Sequence, residues 1–374
     1  MTMRLSNNAP LAGKLLLIGI VAGLFGCAAL PETSEKRADQ PLVFPGPPDE
    51  PRFVYERTIY GSTDIVPEAA DFRLKSMLTG EARGGEGLAK PYGIAVRRGR
   101  VYVSDSVARH VKVFDIPAGR YFKIGDEDGA GKLQQPLGLD VDQNGVLYVA
   151  DNTGRTVRVY DREGKFLKNI GSSKTLVRPA SVTVDPAGDR LYVVDIGGVT
   201  SEEHKIRVFD TRNGERLYDI GKRGKGPGEF NLPRDTAIGA DGLLYVVDGG
   251  NFRVQVLKPD GAFVREFGGT GRQFGQFARP KEIAVDPSGN VYVADAAFGN
   301  FQIFSPRGDL LLFVGSRSEQ DGPAKYMLPA GIAVDEDGRV YFADQWFRKI
   351  DVFRPASLQP EAGFVRPPSG PAKP

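Results

Sequence analysis

The segment 280-PKEIAVDPSGNVYVADAAFGNFQIF-304 decides the fold class of this chain. Its opening proline is followed by short β-branched and aromatic runs on either side of a Ser-Gly-Asn turn, which is typical of antiparallel strands joined by tight hairpins. Five other segments share the pattern and begin at Pro91, Pro136, Pro179, Pro233 and Pro329. Similarity at a spacing of about 40–50 residues predicts propeller blades or a solenoid.

A further strand-like run follows five of the six segments, as in YFKIG, KFLKNIG, RLYDIG, FVREFG and LLLFVG. The sixth segment lacks this run, but PRFVYERTIYG at 51–61 has the same form. The N-terminal strand therefore completes the last blade in our interpretation, which closes the ring and removes exposed sheet edges. The sequence predicts an all-β, six-bladed β-propeller over residues 52–354.

Over residues 51–354 the chain resembles the NHL-repeat family. The resemblance depends on the recurring P-x-x-IAVD…G-x-VYVAD…RVQVF pattern and on linkers such as GKRGKGPGEFNLP and GGTGRQFGQFARP. With the N-terminal features described next, the chain is similar to bacterial six-bladed propeller lipoproteins. That resemblance implies a fold but no particular reaction.

The first 26 residues have the form of an export signal. Leu15 to Gly26 is an apolar or small-residue run too short to span a bilayer, and it ends at Leu24-Phe25-Gly26-Cys27, which resembles a lipobox. Cys27 is the single cysteine of the chain, so we predict its lipidation. We expect an exported protein anchored by this lipid, in the outer membrane if the source is Gram-negative, and facing the periplasm or the cell surface. Proline-rich stretches at 27–51 and 355–374 are interpreted as a tether and a disordered tail outside the blades.

The charge balance argues against nucleic-acid binding. Removal of residues 1–26 takes away Arg4 and Lys14 and leaves 47 basic and 47 acidic residues. A general nucleic-acid binder normally carries a basic field. RNA binding, which occurs among animal NHL propellers, is therefore not expected here.

One helix is predicted at 67–80, between the completing strand and the first full blade. Ala70, Leu74, Met77 and Leu78 would share one face, and Gly80 would end the helix. The helix would either pack on the rim of the propeller or cover its central channel.

Features that recur in every blade are interpreted as structural. The aspartates that end each second strand should accept hydrogen bonds at local turns, and the second-strand tyrosines should pack between blades. These residues are Asp105, Asp151, Asp195, Asp248, Asp295 and Asp344, and Tyr102, Tyr148, Tyr192, Tyr245, Tyr292 and Tyr341.

Positions that differ between blades are the candidates for ligand binding. The two residues after the opening proline are Arg234-Asp235 and Lys281-Glu282 in blades 4 and 5, whereas blade 1 has Tyr92-Gly93. Aromatic and arginine side chains of the kind enriched at binding hot spots lie in nearby loops. The candidate ligand-binding residues are Tyr92, Arg234, Asp235, Arg253, Lys281, Glu282, Phe298 and Trp346. We expect them on the face that carries the longer loops, at the mouth of the channel.

Enzymatic alternatives were tested against the available residues. Peptide-amidating lyases, which share this repeat, hold a catalytic metal with three histidines, whereas this chain has only His110 and His204. Asp235 and Glu282 could be fragments of a lactonase-type metal site, but Arg234 and Lys281 beside them would repel a cation. We therefore predict a monomeric binding propeller that recognises a protein, peptide or polysaccharide, without a cofactor, metal or catalytic residue. A metal-dependent lactonase-like or lyase-like enzyme remains the alternative.

Overall fold

The computed structural model describes residues 41–68, 70–80, 84–198, 200–360 and 362–365. Cys27 and the expected export signal lie outside these residues. Within the described part, the chain forms six antiparallel sheets, each of which is one blade. The innermost strand of each blade contacts those of its two neighbours, and the contact between the last and the first blade closes the ring. The predicted six-bladed β-propeller is confirmed.

The strands of each blade follow one another from the channel outward. Blade 1 consists of β3 (Pro91–Arg97), β4 (Arg100–Asp105), β5 (His110–Asp115) and β6 (Arg120–Ile124). Blade 2 consists of β7 (Pro136–Val141), β8 (Leu147–Asp151), β9 (Thr156–Tyr160) and β10 (Phe166–Ile170). Blade 3 consists of β11 (Pro179–Val184), β12 (Arg190–Asp195), β13 (Lys205–Asp210) and β14 (Arg216–Ile220).

The remaining blades follow the same order, except that the last one takes strands from both ends of the chain. Blade 4 consists of β15 (Pro233–Ile238), β16 (Leu244–Asp248), β17 (Arg253–Leu257) and β18 (Phe263–Gly268). Blade 5 consists of β19 (Pro280–Val285), β20 (Val291–Asp295), β21 (Asn300–Phe304) and β22 (Leu310–Val314). Blade 6 consists of β25 (Pro329–Val334), β26 (Val340–Asp344), β27 (Lys349–Pro355), β2 (Phe53–Ile59) and β1 (Val43–Phe44). Two short strands, β23 (Ser316–Arg317) and β24 (Lys325–Tyr326), pair within the loop between blades 5 and 6.

The N-terminal strand closes the ring as predicted. β2 pairs antiparallel with β27, from Phe53 opposite Pro355 to Ile59 opposite Ile350. Its Phe53, Val54 and Ile59 side chains are buried. Because this strand comes from the opposite end of the chain, blade 6 joins the two ends and leaves no unpaired edge on β27.

Both recurrent features have the structural roles expected of them. The six second-strand aspartates are fully buried, and their carboxylates accept hydrogen bonds from backbone N–H groups of the loop that leads into the same blade. Asp151, for example, accepts from Gln134 N and Gln135 N, both at 3.0 Å. The second-strand tyrosines lie in apolar clusters that are shared by two neighbouring blades.

The expected boundaries of the propeller were too narrow at both ends. Val43 and Phe44 belonged to the predicted tether, but they form β1 beside β2, and the Phe44 ring lies 5.7 Å from that of Phe353. Val365 belonged to the predicted tail, but it is buried in the cluster between blades 6 and 1. Apolar side chains in both proline-rich stretches find partners on the ring, which composition alone does not reveal.

One α-helix, α1, spans Ala70–Thr79, and Gly80 follows it with a φ of +69°. The predicted apolar face of α1 is wrong at the C-terminal end of the helix. Met77 and Leu78, which were expected on that face, are 85% and 78% exposed. Two additional 3-10 turns cover Ser62–Asp64 and Gly363–Val365. No helix in the described part of the chain has the length and apolar character needed to cross a membrane.

The two faces of the ring differ in their connections. The loops between blades, such as 221–232 and 269–279, and the turns between the second and third strands lie on one face, which we call the long-loop face. The turns at the far end of each inner strand lie on the other face, which we call the short-turn face. Every inner strand begins at its proline on the long-loop face.

Candidate binding site in the central channel

The inner strands position the candidate residues at two levels of the channel. We call the first residue after each opening proline position 1 and the second position 2. Position 1 faces the long-loop end, which we call the mouth, and includes Tyr92, Arg234 and Lys281. Position 2 lies deeper, in what we call the waist, and includes Asp235 and Glu282.

Tyr92 extends from blade 1 into the channel. Burial raises its pKa to about 12, the charges of Glu282 and Asp235 act in the same direction, and those of Arg234 and Arg178 oppose them. These charges come from blades 3, 4 and 5, so the phenol reaches the centre of the ring. The structure therefore brings three of the other seven predicted residues, Arg234, Asp235 and Glu282, near Tyr92.

Lys281 lies in a strongly basic environment. Its pKa falls to about 8, first because burial disfavours the ammonium ion and then because Arg279, Arg234 and Lys90 repel it, while Glu282 partly offsets the effect. Lys281 is partly exposed, and burial of the rest of the side chain is the main cause of its shift. A negatively charged ligand at the mouth would relieve this repulsion.

Three basic residues at the mouth are not among the predicted ligand-binding residues. Lys90, Arg178 and Arg279 immediately precede the opening prolines of blades 1, 3 and 5, and all three are exposed. In the described part of the chain, neither they nor Arg234 and Lys281 form an ion pair with a carboxylate. A comparison of the six repeats at the residue before the proline could have identified them.

Arginine also occupies strained positions on the long-loop face. Arg109, Arg155 and Arg348 end the turns between second and third strands with φ of +61°, +50° and +56°. Gly299 holds this position in blade 5 with a φ of +66°, which shows that glycine meets the same backbone requirement without strain. Phe252 holds the position in blade 4 with a φ of +57°, so the left-handed conformation belongs to this turn of the repeat. The turn presents three exposed arginines on the long-loop face.

The waist is lined by carboxyl groups that are clamped between blades. Asp235 accepts hydrogen bonds from Ser181 Oγ at 2.5 Å and from Ile283 N of the next blade at 3.0 Å. Asp140 lies in β7, two residues after position 2 of blade 2. Its carboxylate accepts a hydrogen bond from Val184 N of blade 3 at 2.9 Å. Each carboxyl therefore satisfies a backbone donor on the neighbouring inner strand.

Burial raises the pKa values of three carboxyl groups at the waist, those of Asp140, Asp235 and Glu282. Desolvation is the main cause, and it raises the pKa of Asp140 to about 7 and that of Asp235 to about 6. The pKa of Glu282 is also raised, by burial and by the charge of Asp235. Asp140 keeps some accessible surface, but that surface faces the channel rather than bulk solvent. The desolvated carboxyl groups of Asp235 and Glu282 at the waist therefore form a region separate from the basic residues at the mouth.

Arg253 has contacts that differ from those of the other predicted residues. Its Nε donates to Asp248 Oδ2 at 2.9 Å, its Nη1 pairs with Glu266 at 2.6 Å, and its Nη2 donates to Gly226 O at 2.9 Å. These bonds fasten the loop 221–232 to blade 4. Arg158 and Arg207 make the equivalent bond to the aspartates of blades 2 and 3, so this role recurs.

Phe298 and Trp346 lie on the long-loop face, in the turns after the second strands of blades 5 and 6. Phe298 is half-buried, whereas Trp346 is 62% exposed. Next to Trp346, the Gln345 Nε2 atom is buried and has no hydrogen-bond partner among the described residues. The face therefore offers an exposed aromatic surface at Trp346, and an unsatisfied donor is buried beneath it.

The histidines belong to separate blades. His204 is fully buried, its Nδ1 accepts from Leu232 N at 3.3 Å, and its Nε2 lies 2.9 Å from Gly198 O. His110 begins β5 in blade 1, and burial lowers its pKa. Within the described residues, no group of three or more His, Cys, Asp or Glu side chains is arranged to hold a metal ion.

Sequence comparison identifies the repeat directly in two blades. The family profile described as NHL repeat matches residues 230–257 and 277–304, which are the inner three strands of blades 4 and 5 with their lead-in segments. NHL repeat-containing protein 3 of Mus musculus is 33% identical over 117 residues, which cover 29% of this chain and 32% of that protein. NHL repeat-containing protein 2 of Homo sapiens is 30% identical over 127 residues, which cover 29% of this chain and 17% of that protein. The matched segments thus span about a third or less of these relatives.

Solved structures of proteins named as enzymes share the fold at low identity. A gluconolactonase from Xanthomonas campestris superposes with a TM-score of 0.54 at 16% identity and covers 80% of this chain and 98% of its own. A streptogramin B lyase gives a TM-score of 0.51 at 15% identity and covers 71% and 94%. At these identities the likeness concerns the propeller architecture alone.

Proposed function

We propose that this chain, which carries NHL repeats in a six-bladed β-propeller, binds an acidic segment of a partner protein at the mouth of its channel. The main support is the group of five basic residues that lack carboxylate partners among the described residues, namely Lys90, Arg178, Arg234, Arg279 and Lys281. Like charges held this close repel one another, and an anionic ligand would remove that repulsion.

Apolar surface on the same face supports a protein partner. Trp346 and Val107 are 62% and 63% exposed, and Val177, next to Arg178, is 39% exposed. Arginine combined with an exposed tryptophan is the composition of protein-binding hot spots. A polysaccharide with carboxylate groups would use the basic residues but would gain less from these apolar side chains.

We also propose that the protein acts at a membrane, through a lipid on Cys27. The support is the Leu-Phe-Gly-Cys junction at residues 24–27 and the presence of one cysteine in the chain. Replacement Cys27→Ser should abolish the incorporation of a labelled fatty acid. Equal label in the wild type and the variant would exclude this anchor.

The mouth is tested by reversing two exposed charges. The double variant Arg178→Glu, Arg279→Glu should weaken the binding of a fluorescent oligo-glutamate peptide by about tenfold or more, because it replaces two attractions with two repulsions. Fluorescence anisotropy at low ionic strength measures the affinity, and added salt should weaken wild-type binding.

A matched control makes the same charge change in the same two blades on the opposite face. The double variant Arg212→Glu, Arg307→Glu alters exposed turn residues of blades 3 and 5 and should retain wild-type affinity. Equal losses in both double variants would mean that only net charge matters and would contradict a site at the mouth. Stronger binding of a polyuronate than of the peptide would favour a polysaccharide partner, and metal-dependent hydrolysis of small lactones would favour the enzymatic alternative.

A further inference from the structure

Below the mouth, the waist opens into a separate cavity of about 350 Å³. Its wall runs from position 2 of the inner strands to the turns at 142–143 and 185–186, so the cavity extends toward the short-turn face. This volume is within the range of small-molecule sites. The cavity and the mouth therefore present different chemistry at the two ends of the channel.

Acidic side chains dominate the charged groups of the cavity wall. Its five carboxyl groups and one guanidinium belong to Asp140, Asp142, Asp185, Asp235, Glu282 and Arg97. Arg97 Nη1 is paired with Glu336 Oε1 at 3.0 Å. The wall hydroxyls already donate elsewhere, because Ser181 Oγ donates to Asp235 and Thr183 Oγ1 donates to Thr236 O at 2.6 Å. Apart from the exposed amide of Gln143, the wall is therefore rich in acceptors and poor in free donors.

One carboxyl oxygen in this wall has no partner. Glu282 is 7% exposed, and its Oε1 is buried without a hydrogen-bond partner among the described residues. A buried polar atom without a partner is destabilising, and such atoms are rare in folded proteins. The corresponding position in blades 6, 1 and 2 is glycine, so a buried carboxyl is not a general requirement of the repeat.

We propose that this cavity binds a small polar molecule through a protonated primary amine, held by the carboxylates of Asp235 and Glu282, which lie at position 2 of neighbouring inner strands. An ammonium group supplies three donors and one positive charge. The donors match the acceptor atoms of the wall, and the positive charge would favour the ionised form of its carboxyl groups. At the rim, the buried Nε of Arg97 also lacks a partner, and it could donate to an oxygen of the same ligand. This inference is independent of the partner proposed for the mouth.

Glucosamine and glucose form a suitable probe pair, because they differ in one amine against one hydroxyl. Isothermal titration of the full-length protein should detect saturable one-to-one binding of glucosamine or of 1,4-diaminobutane, and glucose should bind at least about tenfold more weakly. Equal binding of glucose and glucosamine would overturn the role of the amine. Failure of both amines to bind at concentrations up to about 10 mM would overturn the site.

Variants locate the binding within the wall. Glu282→Gln and Asp235→Asn should each weaken amine binding by about tenfold, whereas Glu127→Gln, at an exposed loop residue of blade 1, should leave it unchanged. Unchanged affinity in both wall variants would overturn the proposal. The Arg178→Glu, Arg279→Glu variant should retain amine binding, which distinguishes a failure of this site from a failure at the mouth.

A measurement on the wild type covers the case in which the wall variants do not fold. Because the ammonium group requires ionised carboxylates, the affinity for 1,4-diaminobutane should rise between about pH 5.5 and about pH 7.5, with release of protons to the buffer. The five wall carboxyls and Arg97 are the charged groups that face the ligand. An affinity that is independent of pH, or proton uptake on binding, would contradict recognition by these carboxylates.

Discussion

Blades 6, 1 and 2 differ from blades 4 and 5 at position 2 of their inner strands. In the first group this position is Gly331, Gly93 and Gly138, and the strands lie so close that a Cβ at Gly331 would be 2.6 Å from Tyr92 O. In the second group it is Asp235 and Glu282, whose carboxyls reach into the waist. One half of the ring therefore uses this position for close packing, and the other half uses it for polar chemistry.

The difference shows how a repeat protein can acquire a site without changing its fold. The strands, the buried aspartates and the tyrosines between blades are the same on both sides. The clearest differences concern residues that face the channel, and each of these residues contacts only the neighbouring inner strands. Comparison between blades is therefore more informative about function than the repeat pattern itself.

The close-packed side should be the more sensitive to substitution. Gly331→Ala places a methyl group against backbone, which cannot move aside, and overpacking of this kind costs about 1–3 kcal/mol. We expect the melting temperature to fall by roughly 2–10 °C.

Gly322→Ala is the matched control, because its nearest neighbour would be the flexible Lys325 side chain at 3.8 Å. It should melt within about 2 °C of the wild type. If the two variants melt alike, the inner strands of blades 6 and 1 are not in the tight contact described above.

At the waist of the channel, Asp140 of blade 2 is expected to have a smaller effect, which depends on pH. The pKa of Asp140 in the folded protein is about 7, above its ordinary value of 3.8. The folded state therefore favours the protonated carboxyl, and its contribution to stability is present below about pH 4 and lost as the pH rises through about 7. The Asp140→Asn variant has no ionisable carboxyl at this position, so it should not lose stability in this way as the pH rises.

The melting temperature of Asp140→Asn should therefore rise relative to that of the wild type by a few degrees between about pH 4 and about pH 7.5. Scanning calorimetry across this range measures the shift. Asp126→Asn, in the exposed loop after blade 1, is the control and should show a constant difference. A constant difference for Asp140→Asn as well would mean that its carboxyl is solvated in the channel.

Much of the architecture could be predicted because it depends on local patterns. Alternating apolar residues and Gly-containing turns predict the strands of every blade, and the run at 51–61 predicts the strand that closes blade 6. The aspartates at the ends of the second strands were assigned a structural role because they recur, and their hydrogen bonds confirm it. Such features depend on the repeat rather than on distant contacts.

The candidate site was only partly predictable. Arg234, Asp235, Lys281 and Glu282 differ visibly between repeats, but nothing in the pattern shows that Arg253 is engaged by Asp248 and Glu266. Asp140 was missed, although blades 1, 4, 5 and 6 have alanine at its position. Met77 and Leu78 were expected on a packed face of α1, yet the structure leaves them exposed because amphipathic spacing does not specify a partner.

The sequence by itself determined the number of blades, the order of their strands and the way the ring closes, because each of these depends on short-range periodicity repeated six times. The tertiary structure decided which charges meet. Residues from blades separated by about 50 positions in the chain converge on one channel, and their depth in it determines whether they form a basic mouth or an acidic waist. That separation depends on desolvation and on the direction of each side chain, and both arise only when the ring is closed.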